Sequence, residues 1–214
     1  STEIAGHTVL ELPPAGQGMT ALIRLNLFDR LGNRKLEPGS AERWHTDLEA
    51  GRLAYAVRDA HLADPAHMSE PLDHLISPDY ARELAAQLDA KARNPSILLP
   101  QRIGSDTVYL TVVDRDRRCV SLINSLYGGF GSGIVTDQTG IVLQNRGACF
   151  VVEEGHPNAI GPSKKPLHTI IPGMVMKNGR PSHSFGVMGG AYQSMGHAHV
   201  LSLMLDQGYD QQAA

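Results

Sequence analysis

A change of pattern near residue 100 constrains the fold of this 214-residue chain more than any other feature. Residues before it show helical spacing of apolar side chains, whereas Thr107–Val113 is almost entirely β-branched or aromatic, which is typical of a strand. Charged residues 114–118 predict a turn, and Cys119–Ser125 is predicted to be the returning strand of a hairpin. Helices followed by strands, with one closing helix, predict an α+β fold.

The first half contains an extended segment, Thr8–Leu12, followed by mainly helical patterns. An apolar run covers Met19–Leu31, and a longer helix is predicted to begin after Ser40, whose side chain is a suitable N-cap. A shorter helix is predicted over Pro78–Ala92. The buried stripe of the long helix is predicted from apolar residues recurring at helical spacing, namely Trp44, Leu48, Tyr55 and Leu62.

The second half alternates glycine-rich loops with short strands. Gly128–Gly133 is predicted to be a flexible or close-approach loop, and Gly140–Gln144 a short strand. Asn178-Gly179 is a typical hairpin turn pair and predicts strands on either side of it. A helical pattern through Leu201 to Gly208 closes the chain.

Composition excludes several functional classes. Hydrophobic residues make up 42% and charged residues 19%, with a formal net charge of −3. Because no concentrated basic face is present, no nucleic-acid partner is expected, and no apolar run approaches the roughly 20 residues of a membrane helix. The two cysteines exclude a disulfide scaffold and a four-cysteine zinc site, but leave cytoplasm and periplasm open as locations. Since Ser1 stands where an initiator methionine would, we expect the chain to begin in mid-protein.

The junction Gly104–Thr107 leads a polar loop directly into the predicted strand. A threonine that becomes a chain terminus holds a hydroxyl nucleophile and a free α-amine in one residue. The pKa of such an amine is about 8, close enough to neutrality to accept the hydroxyl proton. The terminus would arise by cleavage between Asp106 and Thr107. Position alone also fits an ordinary threonine that opens a strand.

Several short motifs occur in one order along the chain. Downstream of the junction they are residues 106–114, 121–126, 130–135, 166–172 and 188–190, and upstream residues 12–18, the helix carrying Trp44, and residues 62–65. This series resembles the gamma-glutamyltransferase family of self-cleaving amidohydrolases over nearly the whole chain. The resemblance implies that residues 1–106 end a large subunit and residues 107–214 begin a small one, together forming one composite domain across the processing site.

The same resemblance implies an N-terminal-nucleophile fold, an αββα sandwich present here in part. By position, Thr107 is the nucleophile with its own amine as the base, and Ser125 hydrogen-bonds that nucleophile. Gly189 and Gly190 match the paired glycines whose backbone N–H groups form an oxyanion hole. The partners expected are a small-molecule amide substrate and the rest of the protein's own two subunits, with no cofactor, and a homo-oligomer is left open.

The substrate-binding positions depart from the family pattern. Tyr127 replaces a polar contact, and His168 and Thr169 replace a pair of serines. The segment Asn145–Phe150 contains Arg146 where well-studied members place acidic residues that hold the α-ammonium of a glutamyl group. A neutral or positive pocket suits an acyl group with a carboxylate and no ammonium, so glutaryl-type amides join γ-glutamyl amides as candidate substrates, as for cephalosporin-type acylases.

Other interpretations of these residues are less favoured. His183, His197 and His199 lack the spacing and nearby carboxylates of a metal site, so no metal is expected. Cys149 follows Arg146 closely, but no histidine–acid pair accompanies it as a catalytic thiol requires. Lys164-Lys165 is expected to be solvated or to form a wall of the site. The non-enzymatic alternative is an unprocessed, catalytically silent proenzyme fragment with only a structural role.

Overall fold

The structure, a computed structural model, describes residues 1–88 and 107–214. The predicted cleavage residue Asp106 and the preceding loop therefore lie outside the described residues. The helix predicted over Pro78–Ala92 ends at Ala85, so this prediction is too long by residues 86–88, and residues 89–92 lie outside the described residues. The helices are α1 (Gly18–Arg30), α2 (Ala41–His61), α3 (Leu72–Leu75), α4 (Pro78–Ala85) and α5 (Gln193–Leu201). The strands are β1 (Thr2–Ile4), β2 (His7–Leu10), β3 (Thr107–Val113), β4 (Cys119–Ser125), β5 (Gly173–Lys177) and β6 (Arg180–Phe185). The predicted α+β class is confirmed.

Helix α1 is the centre of the core. It is buried along most of its length, and Leu22, Leu25, Leu27 and Phe28 all lie in the core. Helices α2, α4 and α5 and strand β1 pack around it, and its exposed residues, Asp29 and Arg30, lie at its C-terminal end. The helix stops at Arg30, and Gly32 follows with a φ of 69°, a left-handed conformation that glycine adopts without strain.

A four-stranded antiparallel sheet in the order β1-β2-β5-β6 lies against this helical core. The predicted turn between β5 and β6 is confirmed, since Asn178 and Gly179 have φ values of 51° and 73°. Strand β2 precedes residues 89–106 in the chain and β5 follows them, and the two strands pair with each other. The two halves of the chain therefore share one sheet.

The predicted hairpin of β3 and β4 is also confirmed, with the bounds given by the sequence. Its register places Thr107 opposite Ser125. The hairpin is fixed to β6 by side-chain hydrogen bonds: the Tyr109 hydroxyl lies 2.8 Å from Ser184 Oγ, and Ser121 Oγ donates to the Phe185 carbonyl at 3.3 Å. The end of β3 that carries Thr107 is thereby held relative to the larger sheet.

The predicted N-cap of α2 is confirmed, because Ser40 Oγ accepts a hydrogen bond from the Arg43 N–H at 3.2 Å. The predicted buried stripe of α2 is wrong at two positions. Trp44 is 49% exposed and Leu48 61% exposed, while Leu62 is buried as predicted. The face of α2 that meets the core instead carries buried Ala50, Leu53, Ala54 and Val57. On the same side of the helix, Asp47 pairs with the buried guanidinium of Arg24.

The predicted strand Gly140–Gln144 is wrong as well. Only an isolated bridge between Val135 and Val142 forms there. The segment bonds instead to the glycine-rich loop before it: Ser132 N donates to the Leu143 carbonyl at 2.8 Å. A Cβ at Gly131 would lie 2.4 Å from that same carbonyl oxygen, so the predicted close-approach loop requires glycine at this point. Within the described ranges, no helix is long and apolar enough to cross a membrane.

Candidate active site

The candidate nucleophile lies at the start of β3. Thr107 is 8% exposed, and its hydroxyl donates a hydrogen bond to Ser125 Oγ at 2.9 Å. Ser125 Oγ also accepts a bond from the Tyr127 N–H at 3.0 Å. Because the strand register already places the two residues opposite each other, this bond fixes the direction of the Thr107 hydroxyl at little further cost in side-chain freedom.

The loop after β4 connects Ser125 to Arg146. Tyr127 has a φ of 81°, an uncommon conformation for a residue with a side chain, and its ring lies beneath the Arg146 guanidinium at 5.1 Å. Asn145 also restrains the loop after β4, because its Oδ1 accepts a hydrogen bond from the Gly128 N–H at 3.0 Å. Arg146 begins a short 3₁₀ turn, Arg146–Cys149.

Arg146 is a buried cation without a carboxylate partner among the described residues. It is 2% exposed, and its Nη1 donates to Thr169 Oγ1 at 2.9 Å. Its Nη2 has no hydrogen-bond partner within residues 1–88 and 107–214. Burial lowers the pKa of the guanidinium, although arginine remains charged at neutral pH. A buried cation with a free donor favours an anion beside it.

Two neighbouring groups stay uncharged. Burial, together with the interaction with the Cys149 thiol, raises the pKa of Tyr127 to about 12. Burial also raises the pKa of Cys149, so this cysteine is a neutral thiol at neutral pH rather than an activated nucleophile. Among Tyr127, Arg146 and Cys149, only Arg146 therefore carries a charge at neutral pH.

His168 and Arg146 both line a groove of about 390 Å³, together with Gln144, Lys165 and residues 12, 13, 15 and 16. Burial and the charge of Arg146 lower the pKa of His168 to about 4, so its imidazole is neutral at neutral pH. The backbone of His168 bonds to the opposite wall, because its carbonyl accepts from Gln17 N at 2.9 Å and its N–H donates to the Ala15 carbonyl at 2.8 Å. The groove thus combines two basic side chains, Arg146 and Lys165, with a neutral imidazole.

Gly189 and Gly190 begin a 3₁₀ turn, Gly190–Tyr192, that leads into α5, and their φ values are 128° and 58°. The Gly189 carbonyl accepts from the Tyr192 N–H at 3.1 Å, and the Ala191 carbonyl accepts from the Tyr55 hydroxyl. The N–H groups of Gly189 and Gly190 have no hydrogen-bond partner in the described part of the chain. Free N–H groups at the beginning of a helix are suited to stabilise an anion.

The residue that connects these pieces is Gln17, which the sequence analysis missed as a site residue. Its Nε2 donates to the Thr169 carbonyl at 2.7 Å and to the Gly190 carbonyl at 3.0 Å. Contacts therefore run without a break from Thr107 through Ser125, Tyr127, Arg146, Thr169 and Gln17 to Gly190. The only sequence signal for Gln17 was its place in the motif of residues 12–18.

Known proteins resemble the chain over its whole length. A family model described as gamma-glutamyltranspeptidase matches residues 1–214. A glutathione hydrolase-like proenzyme, YwrD, of Bacillus subtilis (strain 168) is 39% identical over 100% of this chain and 40% of its own length. The oxamate amidohydrolase proenzyme of Klebsiella pneumoniae is 36% identical over 94% of this chain and 37% of its own length.

Among solved structures, the cephalosporin acylase from Bacillus halodurans is similar with a TM-score of 0.85 and 36% identity. It covers 98% of this chain, which in turn covers 38% of that acylase. This likeness confirms the predicted N-terminal-nucleophile α+β fold, present in part. The chain spans about 40% of the length of the curated relatives it matches.

Proposed function

The chain belongs to the gamma-glutamyltranspeptidase family, and on that premise we propose that it carries the catalytic centre of a self-processing amidohydrolase with Thr107 as nucleophile. The observation that carries the proposal is the hydrogen bond from the Thr107 hydroxyl to Ser125, which begins the series of contacts that ends at Gly190. The names of the relatives, proenzymes of a hydrolase and an amidohydrolase, support the same chemistry.

Processing would begin when Thr107 Oγ1 attacks the carbonyl carbon of Asp106. The C–N bond between the two residues breaks as the C–O bond forms, and the hydroxyl proton passes to the leaving nitrogen. Water then hydrolyses the resulting ester, which leaves a carboxylate on Asp106 and restores the Thr107 hydroxyl. The product is a threonine with a free α-amine whose pKa near 8 suits it to act as the base.

In the mature protein the same hydroxyl would add to a substrate amide and give its proton to the α-amine. The free N–H groups of Gly189 and Gly190 are the donors that we assign to the oxyanion. The amine then protonates the leaving nitrogen, and an acyl–threonine ester remains. Water hydrolyses this ester or, in a transferase, an acceptor amine takes the acyl group. Ser125 keeps the nucleophile's rotamer fixed throughout.

The substrate class follows from Arg146. We assign its unpartnered Nη2 to a carboxylate on the acyl group, with His168 and Thr169 beside it and the Tyr127 ring beneath. An α-ammonium near the same guanidinium would be repelled. We therefore propose glutaryl-type amides as better substrates than the corresponding γ-glutamyl amides.

The division at residue 106 is part of the proposal. Residues 1–106 would belong to the large subunit and residues 107–214 to the small one, in one composite domain. Two features support a composite domain: β2 and β5 share a sheet, and Gln17 bonds to Thr169 and Gly190 across the division. Both parts would stay associated after cleavage because Val175, Ala198 and Leu201 of the second part are buried in the core that the first part largely forms.

The test is to express the full-length protein with Thr107→Ala, Thr107→Ser and Thr111→Ala, and to follow cleavage by denaturing electrophoresis and N-terminal sequencing. Thr111 lies exposed on the same strand and is the matched control. We expect wild type and Thr111→Ala to yield a fragment beginning at Thr107, Thr107→Ser to cleave slowly, and Thr107→Ala to stay intact and inactive. A fragment beginning at residue 107 in the alanine variant would refute self-processing, and a single uncut wild-type band would favour the silent proenzyme.

A further inference from the structure

Gln17 is fully buried at 0% exposure, and the described residues use all of its side-chain polar groups. Its Oε1 accepts a bond from Arg58 Nη1 at 3.1 Å, while Nε2 donates to two backbone carbonyls. Because arginine only donates and a carbonyl only accepts, the amide has one orientation that satisfies all three bonds. Arg58 therefore fixes which end of the amide faces the Gly189–Gly190 turn.

That turn needs an external support. Two consecutive glycines with positive φ have more accessible conformations than any other pair of residues. The bonds that the Tyr192 and Gln193 N–H groups donate to the Gly189 and Gly190 carbonyls therefore leave this turn less restrained than a turn of other residues would be. A peptide unit is planar, so a hydrogen bond that fixes a carbonyl also fixes the N–H on the opposite edge of the same plane. The bond from Gln17 to the Gly190 carbonyl thus acts together with the bond from the Gln193 N–H to fix the peptide between Gly190 and Ala191, and with it the ψ angle of Gly190.

The same amide group holds the anion-binding side of the site. Its second bond goes to the Thr169 carbonyl, and the Thr169 hydroxyl accepts from Arg146 Nη1. The backbone of Gln17 is held as well, by its N–H to the His168 carbonyl and by Ser194 Oγ, which donates to the Gln17 carbonyl at 3.3 Å. A shift of Gln17 would therefore move the glycine turn and the segment His168–Thr169 together.

We propose that Gln17 is a positioning residue that fixes the Gly189–Gly190 turn and its distance from the Arg146 subsite. The proposal rests on the function assigned above, since it gives the turn a task in catalysis. Gln17 touches no reacting atom. It acts by fixing backbone groups, which predicts a loss in turnover rather than in substrate affinity.

Gln17→Glu is the sharpest substitution, because it keeps the shape and the acceptor for Arg58 but replaces the donor with a second acceptor facing two carbonyl oxygens. Gln17→Met removes the bonds without adding charge and covers the case in which the buried carboxylate prevents folding. The matched control is Gln207→Glu, since Gln207 Nε2 also donates to a backbone carbonyl, that of Arg34 at 2.9 Å, away from the site.

Two measurements on the full-length protein decide the matter. Hydrogen exchange by mass spectrometry, performed in the uncleaved Thr107→Ala background, should be about tenfold faster over residues 187–193 in the Gln17 variants, as expected for the loss of a buried hydrogen bond. In the mature enzyme, kcat for glutaryl p-nitroanilide should fall about 10- to 100-fold, with KM changed less than about threefold. Gln207→Glu should match the wild type in both measurements.

Unchanged exchange over residues 187–193 would overturn the proposal whether or not the protein is active. Faster exchange with an unchanged kcat would overturn the positioning role, because the turn would then move without consequence. If the wild-type protein hydrolyses no amide, the proposed function fails, and the exchange measurement alone decides whether Gln17 holds the turn.

Discussion

Replacing Arg146 by glutamine tests the substrate class most directly. The guanidinium is 2% exposed with an unpartnered Nη2, so a carboxylate bound there would be desolvated and charge-assisted. Truncating one partner of such a pair costs about 3 kcal/mol, near the lower end of the measured range. That value corresponds to a loss of about 10²-fold in kcat/KM. For a γ-glutamyl donor, an ammonium at roughly 8 Å from the guanidinium would be repelled by about 2 kcal/mol at an effective dielectric constant of about 20.

The assay compares kcat/KM for the p-nitroanilides of glutaryl, γ-glutamyl and butyryl groups in full-length mature protein. Butyryl is glutaryl with its carboxylate replaced by hydrogen. The ratio of kcat/KM for glutaryl to kcat/KM for butyryl therefore separates the effect of the charge from any structural damage caused by losing the bond to Thr169. We expect wild type to prefer glutaryl over γ-glutamyl by about 30-fold, from the repulsion alone. In Arg146→Gln the glutaryl-to-butyryl ratio should fall about 10²-fold and the preference over γ-glutamyl should shrink.

The control is Arg118→Gln, which removes an arginine that is 78% exposed. It should leave all three rates unchanged. If Arg146→Gln lowers the three rates equally, Arg146 supports the structure and does not bind the carboxylate. A wild-type preference for the γ-glutamyl compound would refute the substrate assignment and restore a glutathione-type donor.

Two further substitutions test the glycine turn and the core. A Cβ at Gly190 meets nothing within 4 Å, but φ is +58°, so Gly190→Val should fold with a strained turn and lose about 10²–10³-fold in kcat; unchanged turnover in a folded variant would contradict the oxyanion role. Asp47→Ala leaves the buried Arg24 without its carboxylate and should lower the free energy of unfolding by about 3–5 kcal/mol in urea denaturation. The control is Asp79→Ala, which breaks the exposed pair of Asp79 and Arg82 and should lower the free energy of unfolding by less than about 1 kcal/mol. Equal decreases in the two variants would contradict the role of burial in the Asp47–Arg24 pair.

Sequence patterns correctly predicted the elements whose conformation depends on residues close together in the chain. The β-branched hairpin, the Ser40 N-cap and the Asn178-Gly179 turn each depend on residues within a few positions, and each is confirmed. The rotation of α2 depends instead on its contacts with other elements, among them the burial of Leu53 and Val57 and the pairing of Asp47 with Arg24, so the stripe chosen from periodicity placed Trp44 and Leu48 on the wrong face. The role of Gln17 was hidden for the same reason, because its partners Thr169 and Gly190 are 152 and 173 residues away.

In the candidate site, the groups proposed for catalysis and the group proposed for substrate binding are held by different kinds of contact. The described side-chain partner of the Thr107 hydroxyl is Ser125, and the Gly189–Gly190 turn is held by backbone and amide bonds that carry no net charge. Arg146 contacts the Tyr127 ring and the Thr169 hydroxyl, which are side-chain features that can change without altering the backbone of the turn or the register of the hairpin. An exchange of Arg146 for an acidic residue would therefore change the charge of the groove without changing the residues that form the Thr107–Ser125 hydrogen bond. Under the function proposed above, one such backbone would serve acyl donors that differ only in their charged groups.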